Sequence, residues 1–426
     1  MKKCFVILLA ALIALTAAFA CAEQETLVSG DYSYVLLEDG SACITKFAGQ
    51  AEFLTVPAEL DGHAVTAIGE NAFYGCNAKS VTIPEGITTL SAGAFKYAYM
   101  TRLTLPDSLV TLNGNPFEGC RQLDTVRLSE NSQFTVDNHA LIFKPGMRLL
   151  LVLEGRFGSI PFELGDYTVP AGVRIIDSGA FSNTDSLTAV SLPDSLRQIG
   201  PNAFYSCKNL TEVTLYTVDG MDQALSADDP FVIDTYAFSR CVSLTSVTLP
   251  ENTVSIGFMA FNECASLAAI NFPEALESIE DSAFSGCTSL TEIDLKKVTA
   301  IGSNAFQNCT ALTHVSLPET MEKIGMGVFS GCAKLSRLRM YSDVPENMFS
   351  GMTALRTVEL LEGAKSIGRR AFSGCAALES VTLPDSMMSI SQDAFEGCDK
   401  INMIVPKGSY AEQFADYYGI PFTYAE

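Results

Sequence analysis

Residues 244–264 read LTSVTLPENTVSIGFMAFNEC, and this stretch decides the fold. Leu244, Val247 and Leu249 alternate with Ser246 and Thr248. Successive strand side chains point to opposite faces, so Val247 and Leu249 are expected inward and Ser246 and Thr248 outward. Pro250 has no N–H to donate and ends the strand. Ile256 returns to the core, and Gly257 is expected to relax the backbone at a turn. A short helical turn carrying Ala260 and Phe261 then closes the unit.

The unit repeats. The Ala-Phe pair recurs at Phe73, Phe95, Phe181, Phe204, Phe238, Phe261, Phe284, Phe306, Phe372 and Phe395, with degenerate copies at Phe117, Phe329 and Phe349. Successive Phe spacings are 22, 22, 64, 23, 34, 23, 23, 22, 23, 20, 23 and 23. A coil of that length cannot bury its own apolar face. Stacked coils can, in continuous columns of Val, Leu, Ile and Phe. The period therefore predicts a repeat solenoid.

The full pattern is L-x-x-V-x-L-P-x-x-L-x-x-I-G-x-x-A-F-x-x-C, which residues 187–207 match almost position for position. It resembles the BspA-like leucine-rich-repeat surface proteins of bacteria, over roughly residues 50–406. The resemblance implies a right-handed, curved coil with a parallel β-sheet on its concave face and short strands and helical turns elsewhere. It also implies adhesion to host matrix proteins, host cells or other bacteria.

The departures from the period define the rest of the chain. The spacing of 64 places irregular coils at 118–172, with strand-like QFTVDNHALIF and RLLLVLEG inside them. The spacing of 34 places an insert at 216–230. Residues 26–62 read as an N-terminal β cap, with a hairpin turning near Asp39 and Gly40. The leucine-rich-repeat solenoid is expected over 63–406. Residues 407–426 read as a capping helix and tail, because Ser409 and Glu412 form a capping box and Gly419 and Pro421 stop the helix. Ala411, Phe414, Ala415 and Tyr418 fall on one face of that helix.

Composition sets the partner class. The chain carries 27 Lys and Arg against 49 Asp and Glu, a net charge of -22. Such a chain repels phosphate, so no nucleic-acid partner is expected. Residues 1–22 read as a signal peptide, with Lys2 and Lys3 ahead of an apolar run and cleavage after Ala20 or Ala22. Removing two lysines takes the charge to -22 - 2 = -24. Cys21 is a possible lipid acceptor, and a membrane contact is expected only if it is lipidated. The protein is expected to be secreted or held at the cell surface.

Ten of the 13 cysteines sit three residues after the repeat Phe. Their number follows the repeat rather than any pairing, so they read as buried thiols. A rung-to-rung disulfide is the alternative, and a metal site the remote one. The three histidines, His63, His139 and His314, lie near no nucleophile motif, so neither an enzyme nor a cofactor is expected. Asp219, Asp222, Asp228 and Asp229 match no calcium-loop spacing and read as an acidic surface loop.

The outward strand positions carry the binding expectation. Most are small and polar, but Glu292 and Asp294 form an acidic rung, followed by His314, then Arg337 and Arg339, then Glu359. These six residues are the candidate partner-binding site, against a reading of the same charges as cross-strand salt bridges. The expected function is binding or adhesion, as a monomer, to an extracellular protein or to a host or bacterial surface component. A self-assembling cell-envelope protein is the alternative.

Overall fold

A computed structural model describes residues 25–153, 156–157, 160–161, 163–216, 229–319 and 321–425. The leader, Cys21, Asp219, Asp222 and Asp228 lie outside the described residues. The described residues fall into two compact units. One lies within Met1–Pro145 and Leu150–Phe162, the other within Gly146–Leu149 and Glu163–Glu426.

The fold is a leucine-rich-repeat solenoid, and the coil around Phe261 shows how it is built. Ser246–Val247 is the outward-facing strand, with Val247 buried and Ser246 partly exposed. A second strand, Thr253–Ile256, leads to Gly257. Both pair in parallel with their counterparts: Val247 opposes Ile270, and Ile256 opposes Ile279. The helical turn expected around Ala260 and Phe261 takes the form of successive tight turns. Ala260 donates to Gly257, Asn262 to Met259 and Cys264 to Phe261, at 3.1, 3.1 and 3.2 Å. Met259 and Glu263 adopt left-handed φ of 53° and 59°, which stops those turns from winding into a helix. This edge also bonds coil to coil, Phe261 N–H donating to the Ala283 carbonyl at 2.7 Å.

The core is a column of phenylalanines. In the second unit Phe238, Phe261, Phe284 and Phe306 are buried, and successive rings lie 5.1, 5.2 and 5.2 Å apart within 5° of parallel. In the first unit Phe73 and Phe95 stack at 4.9 Å.

Gly257 has a different role from the one its sequence suggests. Its φ is not left-handed. A Cβ there would lie 2.8 Å from the Asp234 carbonyl carbon and 2.9 Å from both Ile233 O and Thr235 N. The glycine is required by the close approach of the preceding coil's backbone, not by turn geometry.

In the first unit, Tyr32–Leu36 and Ala42–Phe47 form the expected antiparallel hairpin. Ala42–Phe47 then pairs in parallel with His63–Ile68, so coil stacking starts from the hairpin itself. Phe53–Thr55, Ser80–Thr82, Arg102–Thr104 and Thr125–Arg127 form the outward-facing parallel sheet of this unit. Within the segment expected as irregular coils, Phe134–Asp137 and Ala140–Phe143 form an antiparallel hairpin, with Phe134 against Phe143 at 5.0 Å. A solenoid coil would run parallel. Here the chain turns back at Asn138 and His139, both in left-handed φ.

The C-terminal helix is Tyr410–Tyr418. Ser409 accepts from Glu412 N–H at 3.2 Å, and Glu412 reaches back to the N–H of Gly408. Ala411, Phe414 and Ala415 are buried. Tyr418 shares that face, its ring 4.6 Å from that of Phe414, and is 46% exposed because it sits in the last turn, where the chain swings away at Gly419. After the helix, Phe422–Tyr424 adds a strand parallel to Asn402–Val405. The sheet thus runs one strand past the last coil, and the helix does not form its edge.

Candidate partner-binding face

The outward positions of the second unit lie on three successive sheets. Gly165–Thr168 through Ala269–Ile270 form a five-stranded parallel sheet. Glu292–Asp294 and His314–Ser316 form a pair. Arg337–Met340 starts another five-stranded sheet that ends at Phe422–Tyr424. In most of these strands the inward residue is an aliphatic held in the core, as Ile293, Leu338 and Val358 are. Burying those residues forces their neighbours outward.

Register settles which candidate residues meet. Glu292 lies opposite His314, and Asp294 opposite Ser316. Arg337 lies opposite Thr357, and Arg339 opposite Glu359. Glu292, Asp294, His314, Arg337, Arg339 and Glu359 are all exposed. The acidic and basic rungs belong to separate sheets, so they do not share one continuous ladder.

Several of these charges are already engaged. Arg339 Nε lies 3.1 Å from Glu359, and Asp294 lies 3.5 Å from Lys296. Both pairs are exposed, and such pairs contribute roughly 0–1 kcal/mol. His314 Nδ1 is 2.9 Å from the Thr313 hydroxyl. Beside the basic rung, the Glu319 carboxylate holds the Tyr341 phenol above its ordinary range. Glu292 and Arg337 carry no ion pair among the described residues.

The remaining candidates sort themselves by burial. The described repeat cysteines are free thiols and buried. Asp229, at the end of the insert, accepts from Arg197 at 2.6 Å and Arg174 at 3.2 Å, and these guanidiniums hold its carboxyl below the ordinary range. Among the described residues, no group of three or more His, Cys, Asp or Glu is placed to hold a metal ion. Among the same residues, no helix is long and apolar enough to cross a membrane.

Outward positions of the first unit went unread in the sequence. Phe53, 72% exposed, Arg102 and Arg127 stand there. The signal was available: Met100 to Leu105 and Leu123 to Leu128 repeat the strand pattern in degenerate form.

A solenoid whose coils carry Leu-x-x-Val-x-Leu strands, a phenylalanine column and a thiol in most rungs is a leucine-rich-repeat protein. Within that class, the chain belongs to the family of BspA type leucine rich repeat regions, which matches residues 56–143, 158–223, 232–346 and 342–415. No curated protein matches it by sequence. Among solved structures, a leucine-rich repeat protein from Bacteroides ovatus is 22% identical, with 94% of this chain and 100% of that one covered and a TM-score of 0.55. A leucine rich cell surface protein from Faecalibacterium prausnitzii is 23% identical, with 91% and 96% covered and a TM-score of 0.44. The pneumococcal vaccine antigen PcpA is 16% identical, with 95% and 99% covered and a TM-score of 0.44. At 22% identity the likeness to the Bacteroides ovatus protein is one of fold.

Proposed function

We propose that this chain is an exported bacterial adhesion module that binds an extracellular protein, or a component of a host or bacterial surface, through its outward strand positions. It acts as a monomer. The leader over residues 1–22 carries it out of the cytoplasm, and it touches a membrane only where Cys21 bears a lipid. Family membership supports the reading. So does one observation above others: Glu292 and Arg337 are exposed and hold no ion pair among the described residues, so neither is committed to joining coils. Solenoids characteristically bind through such extended surfaces.

The test is binding of residues 23–426 to an array of matrix proteins, glycans and bacterial surface fractions. Arg337→Glu is the sharper variant, because Arg339 is already paired with Glu359. A hit that Arg337→Glu abolishes supports this face. A hit that the variant retains removes the face and leaves adhesion standing. The self-assembly alternative has its own support, since Phe422–Tyr424 lies at a sheet edge and such edges pair with other chains. Sedimentation across concentration separates the two: a constant mass rejects assembly.

A further inference from the structure

Carboxylates outnumber cations in this chain, and the described arginines are mostly consumed by them, as Arg148 is by Asp177 and Arg356 by Glu379. The exceptions among the described residues are Arg102, Arg121, Arg127 and Arg337. Three of the four fall on two consecutive coils of the first unit, and all three are exposed.

Two of them share one sheet face. Arg102 lies opposite Thr125, and Arg127 lies opposite Thr104 on the same pair of parallel strands. Leu103 is buried between Arg102 and Thr104, so the arginines and both threonines point outward. A strand spacing of about 4.8 Å and an offset of two residues, each about 3.3 Å, put the two arginine Cα atoms about 8 Å apart. An extended peptide sets its i and i+2 side chains on one side about 6.8 Å apart. Long guanidinium side chains easily absorb that difference.

We propose that this sheet binds an extended segment of an acidic polypeptide, with Arg102 and Arg127 each taking one of two carboxylates spaced i and i+2. The guanidinium fork matches a carboxylate in bidentate geometry. The Thr104 hydroxyl can donate to or accept from polar groups of the segment, while the Thr125 hydroxyl, which donates to Asp124, can only accept. Phe53, in the same outward row two strands from Arg102, offers it an apolar contact.

Charge complementarity favours a peptide over a sulfated glycan or a nucleic acid. A uniformly charged polyanion would carry its charge past the patch and onto a chain of net charge -22. A peptide carries carboxylates only where the arginines stand. Asp124, exposed beside the patch and bonded to the Thr125 hydroxyl at 2.7 Å, limits the acidic footprint on that side. At physiological salt, charges beyond about 8 Å are screened, so the local pair decides the contact. This site uses other residues than the face around Arg337, so either can fail without the other.

The experiment is fluorescence anisotropy of the full chain with three probes. They are a labelled nine-residue peptide with a central Glu-Val-Glu, the same peptide with Gln for both Glu, and a labelled heparin fragment. The expected result is saturable binding of the Glu peptide, at least tenfold weaker for the Gln peptide and for an Arg102→Glu, Arg127→Glu double variant. Arg337→Glu should bind as the parent does, and added salt should weaken binding. Arg102→Lys with Arg127→Lys keeps the charge and loses the fork, and should bind at an intermediate level. Absence of Glu-peptide binding overturns the proposal, as does equal loss in Arg337→Glu. Tighter arginine-dependent binding of heparin than of the peptide overturns the polypeptide assignment.

Discussion

The thiol of Cys287 donates a hydrogen bond to the carbonyl oxygen of Phe261, one coil earlier, at 3.2 Å. The relationship recurs as Cys207 to Phe181, Cys264 to Phe238, Cys332 to Phe306 and Cys398 to Phe372. Each Phe carbonyl also accepts the N–H of the residue three positions on in its own coil, as Phe261 does from Cys264 at 3.2 Å and Phe181 from Thr184 at 3.1 Å. The repeat cysteine is thus a small hydrophobe whose weak donor meets a buried acceptor in the preceding rung.

Burial holds the thiols of Cys264, Cys287, Cys309 and Cys332 protonated. It pushes Cys264 and Cys332 up to about 12, and Cys287 and Cys309 well above the ordinary thiol range. The thiolate is the reactive form, so these four cysteines should resist alkylation in the native protein at pH 8. Labelling by iodoacetamide with mass readout should appear only across the denaturant unfolding transition. Rapid modification of several repeat cysteines in native protein would refute their placement in the core.

Phe261 and Phe284 lie in the longest run of near-parallel rings, each stacked on both sides. Either Phe→Ala change leaves a cavity the neighbouring coils cannot close, at a cost of about 3–5 kcal/mol. The effect should appear as a lowered midpoint in urea at unchanged slope, against an exposed control such as Ser316→Ala. A midpoint equal to the control's would contradict the stacking.

The period made the solenoid legible because one apolar column per slot leaves its trace in every coil. Phe, Cys and Ile could be placed from spacing alone. The hairpin at Phe134–Phe143 was less legible, since a strand pattern does not state whether its partner runs parallel or antiparallel. Tyr418 was legible as sharing the face of Phe414, where the rings meet at 4.6 Å, but its exposure was not, because helical periodicity says nothing about where a terminal turn leaves its support. The six candidate site residues were read correctly as outward, as alternation dictates, and all are exposed. Cross-strand pairing was one of the two readings of these charges, and Arg339 with Glu359 realises it; the contact of Asp294 with Lys296 arises through side-chain conformations that no residue pattern encodes.

Gly257→Ala tests the close approach of coils. Its Cβ would strike backbone atoms of Ile233, Asp234 and Thr235, none of which can swing aside. Separating the coils should cost about 1–3 kcal/mol, as overpacking does. Ser391 fills the equivalent slot with a Cβ already present, so Ser391→Ala should cost under about 1 kcal/mol. Chemical denaturation of the two variants checks the contrast, and equal stabilities would return Gly257 to a mere turn role.

Arg148 and Asp177 form the least exposed ion pair of the second unit, with side chains 16% and 10% exposed. Two hydrogen bonds of 2.8 Å join them. Burial raises the Asp177 carboxyl above its ordinary 3.8, although Arg148 pulls it down. Arg148→Met removes that opposing pull and strands a buried carboxylate, costing about 3–5 kcal/mol near pH 7. The folded variant then holds its Asp177 proton more tightly than the unfolded chain does. Its penalty is therefore full above the folded pKa and shrinks as pH falls through it toward the unfolded value. The parent loses less on ionisation, so the stability gap between parent and Arg148→Met should narrow from pH 7 down to pH 4. Urea midpoints across that range measure it, and a gap that widens or stays level as pH falls would show that Asp177 is not the group left uncompensated.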